Sequence, residues 1–169
     1  MRHNTVNDVP RHRAKSHHLI KEREHDPYKS QAKPPQPAVC KECGAVFSQG
    51  RWVWHSEIKE GLEARVLCPA CQRIRDRVPG GVLTLDGRFY REHQEEILAL
   101  VANIEAREKQ AHPLKRIMTI TQQQDGAVIT FTDPQLGHAF IEGIHKAYGG
   151  TKAYRYSEGE TFLRAFWNR

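Results

Sequence analysis

The chain has 169 residues, of which 38% are hydrophobic, and this is enough for one ordinary domain or two small ones. Its formal charge of +6 favours a polyanionic partner such as nucleic acid. No run of about 18 apolar residues occurs, and the basic N-terminus lacks the apolar core of a signal peptide, so we expect a cytoplasmic protein with no membrane partner.

Residues 1–39 form a polar and basic segment. It contains the cluster of Arg11, Arg13 and Lys15 and ends in the proline-rich run 33–37. Such a composition buries too little apolar surface to fold alone, so we predict a flexible basic arm. The segment has 8 Lys and Arg against 4 Asp and Glu, and we interpret it as an arm that follows an anionic backbone. The alternative is a solvated tail without a role.

The four cysteines form two tight pairs. Cys40 and Cys43 are separated by two residues, as are Cys68 and Cys71, and 24 residues lie between the pairs. In a reducing compartment, cysteines at this spacing are more often metal ligands than disulfides. We therefore predict one structural zinc ion per chain, bound by four thiolates in a zinc ribbon and basic turn region over 40–88. A closed four-thiolate shell leaves no position for water or substrate, so we expect no enzyme activity.

A redox iron like that of rubredoxin is the main alternative to zinc, because similar cysteine knuckles hold such an iron. Electron carriers of that kind tend to be acidic, whereas the ribbon segment is rich in arginine. The basic context favours zinc.

Arginine and tryptophan side chains surround the cysteine pairs. Arginine can bind phosphate in a bidentate manner and tryptophan can stack on an unpaired base, so we predict that this set contacts RNA. Its members are Arg51, Trp52, Trp54, Arg65, Arg73, Arg75 and Arg77, together with Arg11, Arg13 and Lys15 of the arm. In the alternative interpretation the tryptophans pack in the ribbon core, and we expect this of at least one of them.

The ribbon is predicted to contain three strands, at 45–47, 51–54 and 64–67. A basic turn region follows over 72–88. From 89 to 112, apolar residues recur at spacings of three and four, which predicts an amphipathic linker helix. Its end is expected before His112, because a residue that precedes proline is pushed out of the helical region.

The last segment, 113–169, is predicted to be a small α+β domain in the order ββαββ, with strands at 114–121, 127–132, 152–156 and 161–167. Asp125-Gly126 predicts a hairpin turn between the first two strands. Asp133-Pro134 predicts the start of a helix that stops at Gly149-Gly150. The predicted fold class is α+β: a central zinc ribbon and an amphipathic helix, followed by a small antiparallel sheet with one helix.

The sequence contains none of three common catalytic motifs. A Gly-x-x-x-x-Gly-Lys phosphate loop, a Gly-x-Ser-x-Gly elbow and a His-Glu-x-x-His pair are all missing. The neighbouring carboxylates Glu95 and Glu96 lie in a polar stretch, so we interpret them as surface charge. We therefore expect no small-molecule substrate.

Several segments carry a resemblance to known families. With its cysteine pairs, Arg73-Ile74-Arg75-Asp76, Glu105-Ala106-Arg107-Glu108 and Lys21-Glu22-Arg23-Glu24-His25-Asp26-Pro27-Tyr28, the chain resembles a family of short bacterial four-cysteine zinc-ribbon proteins. That family is distantly similar to the amino-terminal zinc-binding part of the Nmd-type adaptor, which escorts the large ribosomal subunit. The resemblance implies that the four cysteines bind metal and that the role is ribosome- or RNA-associated. The adaptor has further cysteine pairs that this chain lacks.

The sequence thus predicts a zinc-stabilised adaptor that binds RNA or the ribosome and has no catalytic activity. Two alternatives stay open at this point. One is a protein-binding or transcription-linked zinc ribbon with a protein partner, and the other is the iron electron carrier.

Overall fold

The computed structural model describes residues 26–28, 33–55, 61, 63–157, 159 and 161–169. In this part of the chain, the strands are β1 (Ala38–Cys40), β2 (Val46–Ser48), β3 (Arg51–Val53), β4 (Ala64–Val66), β5 (Gly81–Asp86), β6 (Ile117–Gln122), β7 (Gly126–Phe131), β8 (Thr151–Tyr156) and β9 (Leu163–Asn168). The helices are α1 (Pro69–Asp76), α2 (Arg88–Glu92), α3 (Gln94–Ala111) and α4 (Pro134–Tyr148). The α+β class predicted from the sequence is confirmed.

The first four strands form a small sheet in the order β3-β2-β1-β4. β2 and β3, which correspond to the first two predicted ribbon strands, form an antiparallel hairpin, and β1 pairs antiparallel with β2. The third predicted strand, β4, pairs in parallel with β1 and is not a neighbour of β3. Because β1 and β4 are parallel, their carboxyl ends lie at one edge of the sheet: Cys40 pairs with Val66, two residues before Cys68.

A helix and a strand occupy most of the segment predicted as a basic turn region, so that prediction for 72–88 is wrong. α1 begins with proline at its first turn and ends at Arg77, which adopts a left-handed conformation with φ 57°. β5 follows after Pro79-Gly80. Its residues alternate between the core and the opposite face, since Leu83 and Leu85 are fully buried and Val82 is only partly so.

β5 is the central strand of a second sheet, which has five strands in the order β6-β7-β5-β9-β8. It pairs antiparallel with β7 and parallel with β9, over six residues on each side. β6 and β7 form the predicted hairpin, and β8 and β9 pair antiparallel. The expected order ββαββ is therefore present, but the sheet is completed by a strand that precedes the linker segment in sequence.

α4 packs against this sheet, and α3 packs against α4. Ile97, Val101 and Ile104 of α3 are buried in the same core as Phe140 and Ile144 of α4. The segment 89–112 is therefore an integral part of the core, with a break at His93 that separates α2 from α3. No helix in the described residues is both long and apolar enough to cross a membrane.

The termini of α4 follow the local signals in the sequence. The carboxylate of Asp133 accepts a hydrogen bond from the Gln135 amide at 2.8 Å, and Pro134 occupies the first turn. The helix ends at Gly149 and Gly150, which both have positive φ. Both predicted ends are confirmed.

Candidate metal centre

The first cysteine pair lies in a tight turn at the end of β1. The Cys40 amide donates to the Ala45 carbonyl at 2.7 Å, and the Gly44 amide donates to the Cys40 carbonyl at 2.9 Å. Gly44 has φ +75°, a conformation that side chains other than glycine rarely adopt. These bonds close the chain on itself, so Cys40 and Cys43 present their sulfurs on one side of the turn.

The second pair lies at the start of α1. Cys68 is the N-cap residue, and its Sγ accepts from the Cys71 amide at 3.4 Å. The Cys68 amide in turn donates to Sγ of Cys40 at 3.3 Å. The first helical turn therefore fixes the spacing of Cys68 and Cys71, and an N–H···S bond joins the two pairs.

The four sulfurs meet at one point. The Sγ atoms of Cys40, Cys43, Cys68 and Cys71 all lie within 4.8 Å of one another, and all four cysteines are free thiols. Sγ of Cys43 is 3.8 Å from Sγ of Cys68. A tetrahedron with metal–sulfur bonds of about 2.3 Å has edges of about 3.8 Å, so this separation suits a tetrahedral metal site.

Burial and hydrogen bonding have opposite effects on the pKa values of Cys40, Cys68 and Cys71. Burial raises the pKa of Cys71 to about 11 and also raises the pKa of Cys68. Burial also favours a higher pKa for Cys40, but hydrogen bonds from backbone N–H groups, including that of Cys68, outweigh this effect and lower its pKa to about 7. A cluster of buried thiols becomes four thiolates most readily when a metal cation compensates their charge.

Arg116 is a further residue of this site, which the sequence analysis missed. Its guanidinium donates to Sγ of Cys43 at 3.0 Å, to Sγ of Cys71 at 3.3 Å and to the Pro113 carbonyl at 2.7 Å. Burial lowers the pKa of Arg116, but the bonds to Cys43 and Cys71 outweigh this and hold it above its ordinary value. Since Arg116 is only 8% exposed, its charge needs a buried anion, and the cysteine sulfurs provide one when they bind a metal ion as thiolates.

Replacing Arg116 with glutamine will weaken metal binding by about 10- to 100-fold, the usual cost of losing an outer-shell partner. The variant loses the cation that offsets the negative charge of the thiolates. The measurement is competition for the metal with a coloured chelator. Arg65→Gln is the matched control, because Arg65 is exposed on β4 and the same charge is removed. Equal metal affinity in the two variants would contradict a role for Arg116.

Both predicted tryptophans pack around the metal centre. Trp52 and Trp54 are partly buried against the cluster that contains the cysteines, Leu67 and Leu114. The indole N–H of Trp54 donates to the Lys109 carbonyl of α3 at 2.6 Å. The expectation that at least one tryptophan belongs to the ribbon core is confirmed, and Trp54 also joins the ribbon to α3.

Arg73 was predicted to contact RNA phosphate, but in the structure its side chain is buried. It is 5% exposed, its guanidinium is 2.5 Å from the carboxylate of Asp26, and it donates to the carbonyl of Val78 at 3.2 Å. The guanidinium also lies over the Tyr28 ring, 4.5 Å from its centroid. The prediction placed Arg73 in a basic turn region, but the residue lies in helix α1 and its side chain is buried. Asp26 and Tyr28, which were assigned to the mobile arm, are thus in contact with the ribbon.

The remaining predicted arginines are exposed: Arg51, Arg65, Arg75 and Arg77. Arg75 forms an ion pair with its neighbour Asp76 at 3.0 Å, and both side chains are open to solvent. Arg11, Arg13 and Lys15 lie outside the described residues. The structure therefore brings the four cysteines and both tryptophans together, with the exposed arginines around them.

The four cysteines can hold one tetrahedral metal ion in a closed shell of sulfur ligands. The Arg116 guanidinium donates hydrogen bonds to two of these sulfurs, those of Cys43 and Cys71. In comparisons with known proteins, no protein-family model matches this chain and no curated protein matches its sequence. The residues of the metal centre are therefore the basis for assigning a function.

Proposed function

We propose that the chain is a zinc-stabilised adaptor that binds RNA, and that its metal has a structural role. The observation that carries this proposal is the convergence of four sulfurs with a buried guanidinium on two of them. Four thiolates around a divalent ion retain a net negative charge, which Arg116 offsets. Closed four-sulfur shells of this kind are typical of structural zinc. Free thiols at these positions also suit a cytoplasmic, reducing environment.

The RNA part of the proposal is supported by the charges around this rigid centre. Arg51, Arg65, Arg75 and Arg77 are exposed, and the chain as a whole carries a formal charge of +6. The ion pair of Arg75 with Asp76 is exposed, so exchanging it for a phosphate contact costs little. Arginine side chains on a metal-stabilised unit can present a fixed pattern to a folded RNA, and ribosomal RNA is the target that we infer.

Removing the basic arm will make the salt dependence of RNA binding shallower. Deletion of 1–25 removes six Lys and Arg and leaves Asp26 and Tyr28 in contact with Arg73. The slope of log K against log salt is negative, and each phosphate contact that is lost reduces its magnitude by about 0.7 to 0.9. The measurement is a salt titration of binding to ribosomal subunits and to unrelated RNA.

The exposed arginines of the ribbon are tested in the same titration. Arg75→Ser with Arg77→Ser will weaken binding, whereas Arg88→Ser with Arg91→Ser, an equal loss of charge on α2, will change it much less. Wild-type protein that binds no RNA, or binds with no salt dependence, would overturn the RNA proposal. Recovery with a protein partner instead would favour the protein-binding alternative.

A further inference from the structure

A cavity of about 620 Å³ lies where the ribbon meets the segment that leads into β6. Its apolar walls include Phe47, Trp52 and Leu67 of the ribbon and Leu114 of that segment. The volume falls in the range of about 300 to 1,000 Å³ that is typical of small-ligand pockets. Leu67 and Leu114 also pack on the cysteine cluster, so both walls of the cavity contact the candidate metal centre.

The rim of this cavity is mainly cationic. Lys33, Arg51 and Lys115 line it, against the single carboxylate of Asp133. Lys115 is paired with Glu108 at 2.8 Å, but among the described residues no ion-pair partner is found for Lys33 or Arg51. Two exposed cations at the mouth of an apolar cavity are complementary to a ligand that joins an anionic group to a flat apolar one.

The cavity also offers aromatic rings. Trp52 packs on the buried ring of Phe47, with centroids 5.4 Å apart at an angle of 54°. Tyr28 lines the cavity as well, and its ring is held by the guanidinium of Arg73. Nucleobases stack on aromatic rings whatever their sequence, because every base has a π-face.

We infer that this cavity binds an unpaired base of single-stranded RNA, with Trp52 as the stacking partner and Lys33 and Arg51 as contacts to the adjacent phosphates. The inference rests on the proposed RNA-binding function and gives it a site. Bases within a duplex are stacked and cannot enter a pocket, so the site selects single strands, loops or bulges.

The test is fluorescence anisotropy with a labelled 12-nucleotide single-stranded RNA, the same RNA in a duplex, and an oligonucleotide with abasic positions. Wild-type protein should bind the single strand at least about tenfold more tightly than the other two, in line with one base–aromatic stack. Trp52→Leu should remove most of this preference, and Trp52→Phe should restore part of it because a ring remains.

Charge variants separate the cavity from the rest of the basic surface. Lys33→Ser with Arg51→Ser should weaken binding of the single strand about tenfold or more, while Arg88→Ser with Arg91→Ser should change it much less. Metal content and thermal unfolding show whether each variant is folded. If Trp52→Leu loses its metal, ultraviolet crosslinking of wild-type protein to the RNA tests the cavity instead. Crosslinks should then map to peptides that contain Trp52 or Tyr28.

The outcomes distinguish failure of the proposed base-binding cavity from failure of the proposed RNA-binding function. Wild-type protein that binds none of the RNAs overturns both proposals. Binding without a preference for the single strand, unchanged affinity in the folded cavity variants, or crosslinks confined to other peptides overturns the cavity and leaves RNA binding in place. A mononucleotide that binds as tightly as the oligonucleotide would also overturn it, by identifying a small-molecule site.

Discussion

Replacing Cys68 with serine will release the metal ion and unfold the ribbon. Purified wild-type protein should contain about one zinc per chain, and the variant should contain none. Serine is a good N-cap residue, so the start of α1 keeps its hydrogen-bond acceptor, and the loss isolates the role of the thiolate. In small metal sites, binding and folding are coupled, so the strands next to the site should lose their structure with the metal. Elemental analysis and circular dichroism measure the two effects.

Ala70→Ser is the control for this experiment. Ala70 is buried in the same cluster, and the variant adds a hydroxyl group beside the site without removing a ligand. It should retain its zinc. Stoichiometric iron in wild-type protein would overturn zinc in favour of the electron-carrier alternative, and full zinc in the Cys68→Ser protein would remove Cys68 from the ligand set.

A fragment that begins at Leu114 will not fold, whereas a fragment that begins at Pro79 will. The first lacks β5, which lies between β7 and β9 and pairs with both. It also lacks α3, whose apolar side chains complete the core. The second keeps the whole five-stranded sheet and both helices that cover it. Urea unfolding followed by circular dichroism should show a cooperative transition only for the longer fragment, and a chelator should not change it.

Two substitutions in β5 provide a matched comparison within the longer fragment. Leu83→Asp places a charge in the fully buried core and should abolish the transition. Val82→Asp adds the same group at the neighbouring position, which is only partly buried, and should leave a folded protein. A folded Leu83→Asp variant, or a folded Leu114 fragment, would show that β5 is not essential to the core.

The sequence was most informative where the signal is local. The spacing within each cysteine pair is set by one turn or one helix start, and the four cysteines do converge. The ends of α4 depend on Asp133 and on Gly149, which act on their own neighbours. Such features can be predicted from a few consecutive residues, because the backbone geometry and hydrogen bonds that they need are supplied within the same segment.

β5 and Arg116 were missed because their partners are distant in sequence. Apolar and polar residues alternate from Leu83 to Asp86, and this pattern indicates a strand. The basic residues that precede it favoured the prediction of a turn region instead. Arg116 lies 45 positions from Cys71 in the sequence. Its role depends on its side chain reaching the cysteine cluster of the ribbon from the segment just before β6. The buried position of Arg73 likewise depends on α1 being a helix, whereas the sequence analysis placed this residue in a turn region.

The pairing of β5 with β9 also sets the order of events during synthesis of the chain. Gly81 pairs with Leu163, so the central strand must wait for a partner that is made about 80 residues later. At about 5 to 20 residues per second, a ribosome needs several seconds to deliver it. The four cysteines of the candidate metal centre, in contrast, are all available once Cys71 leaves the exit tunnel. The ribbon can therefore acquire its metal and become rigid while Leu83 and Leu85 still lack the neighbouring strand that completes their core.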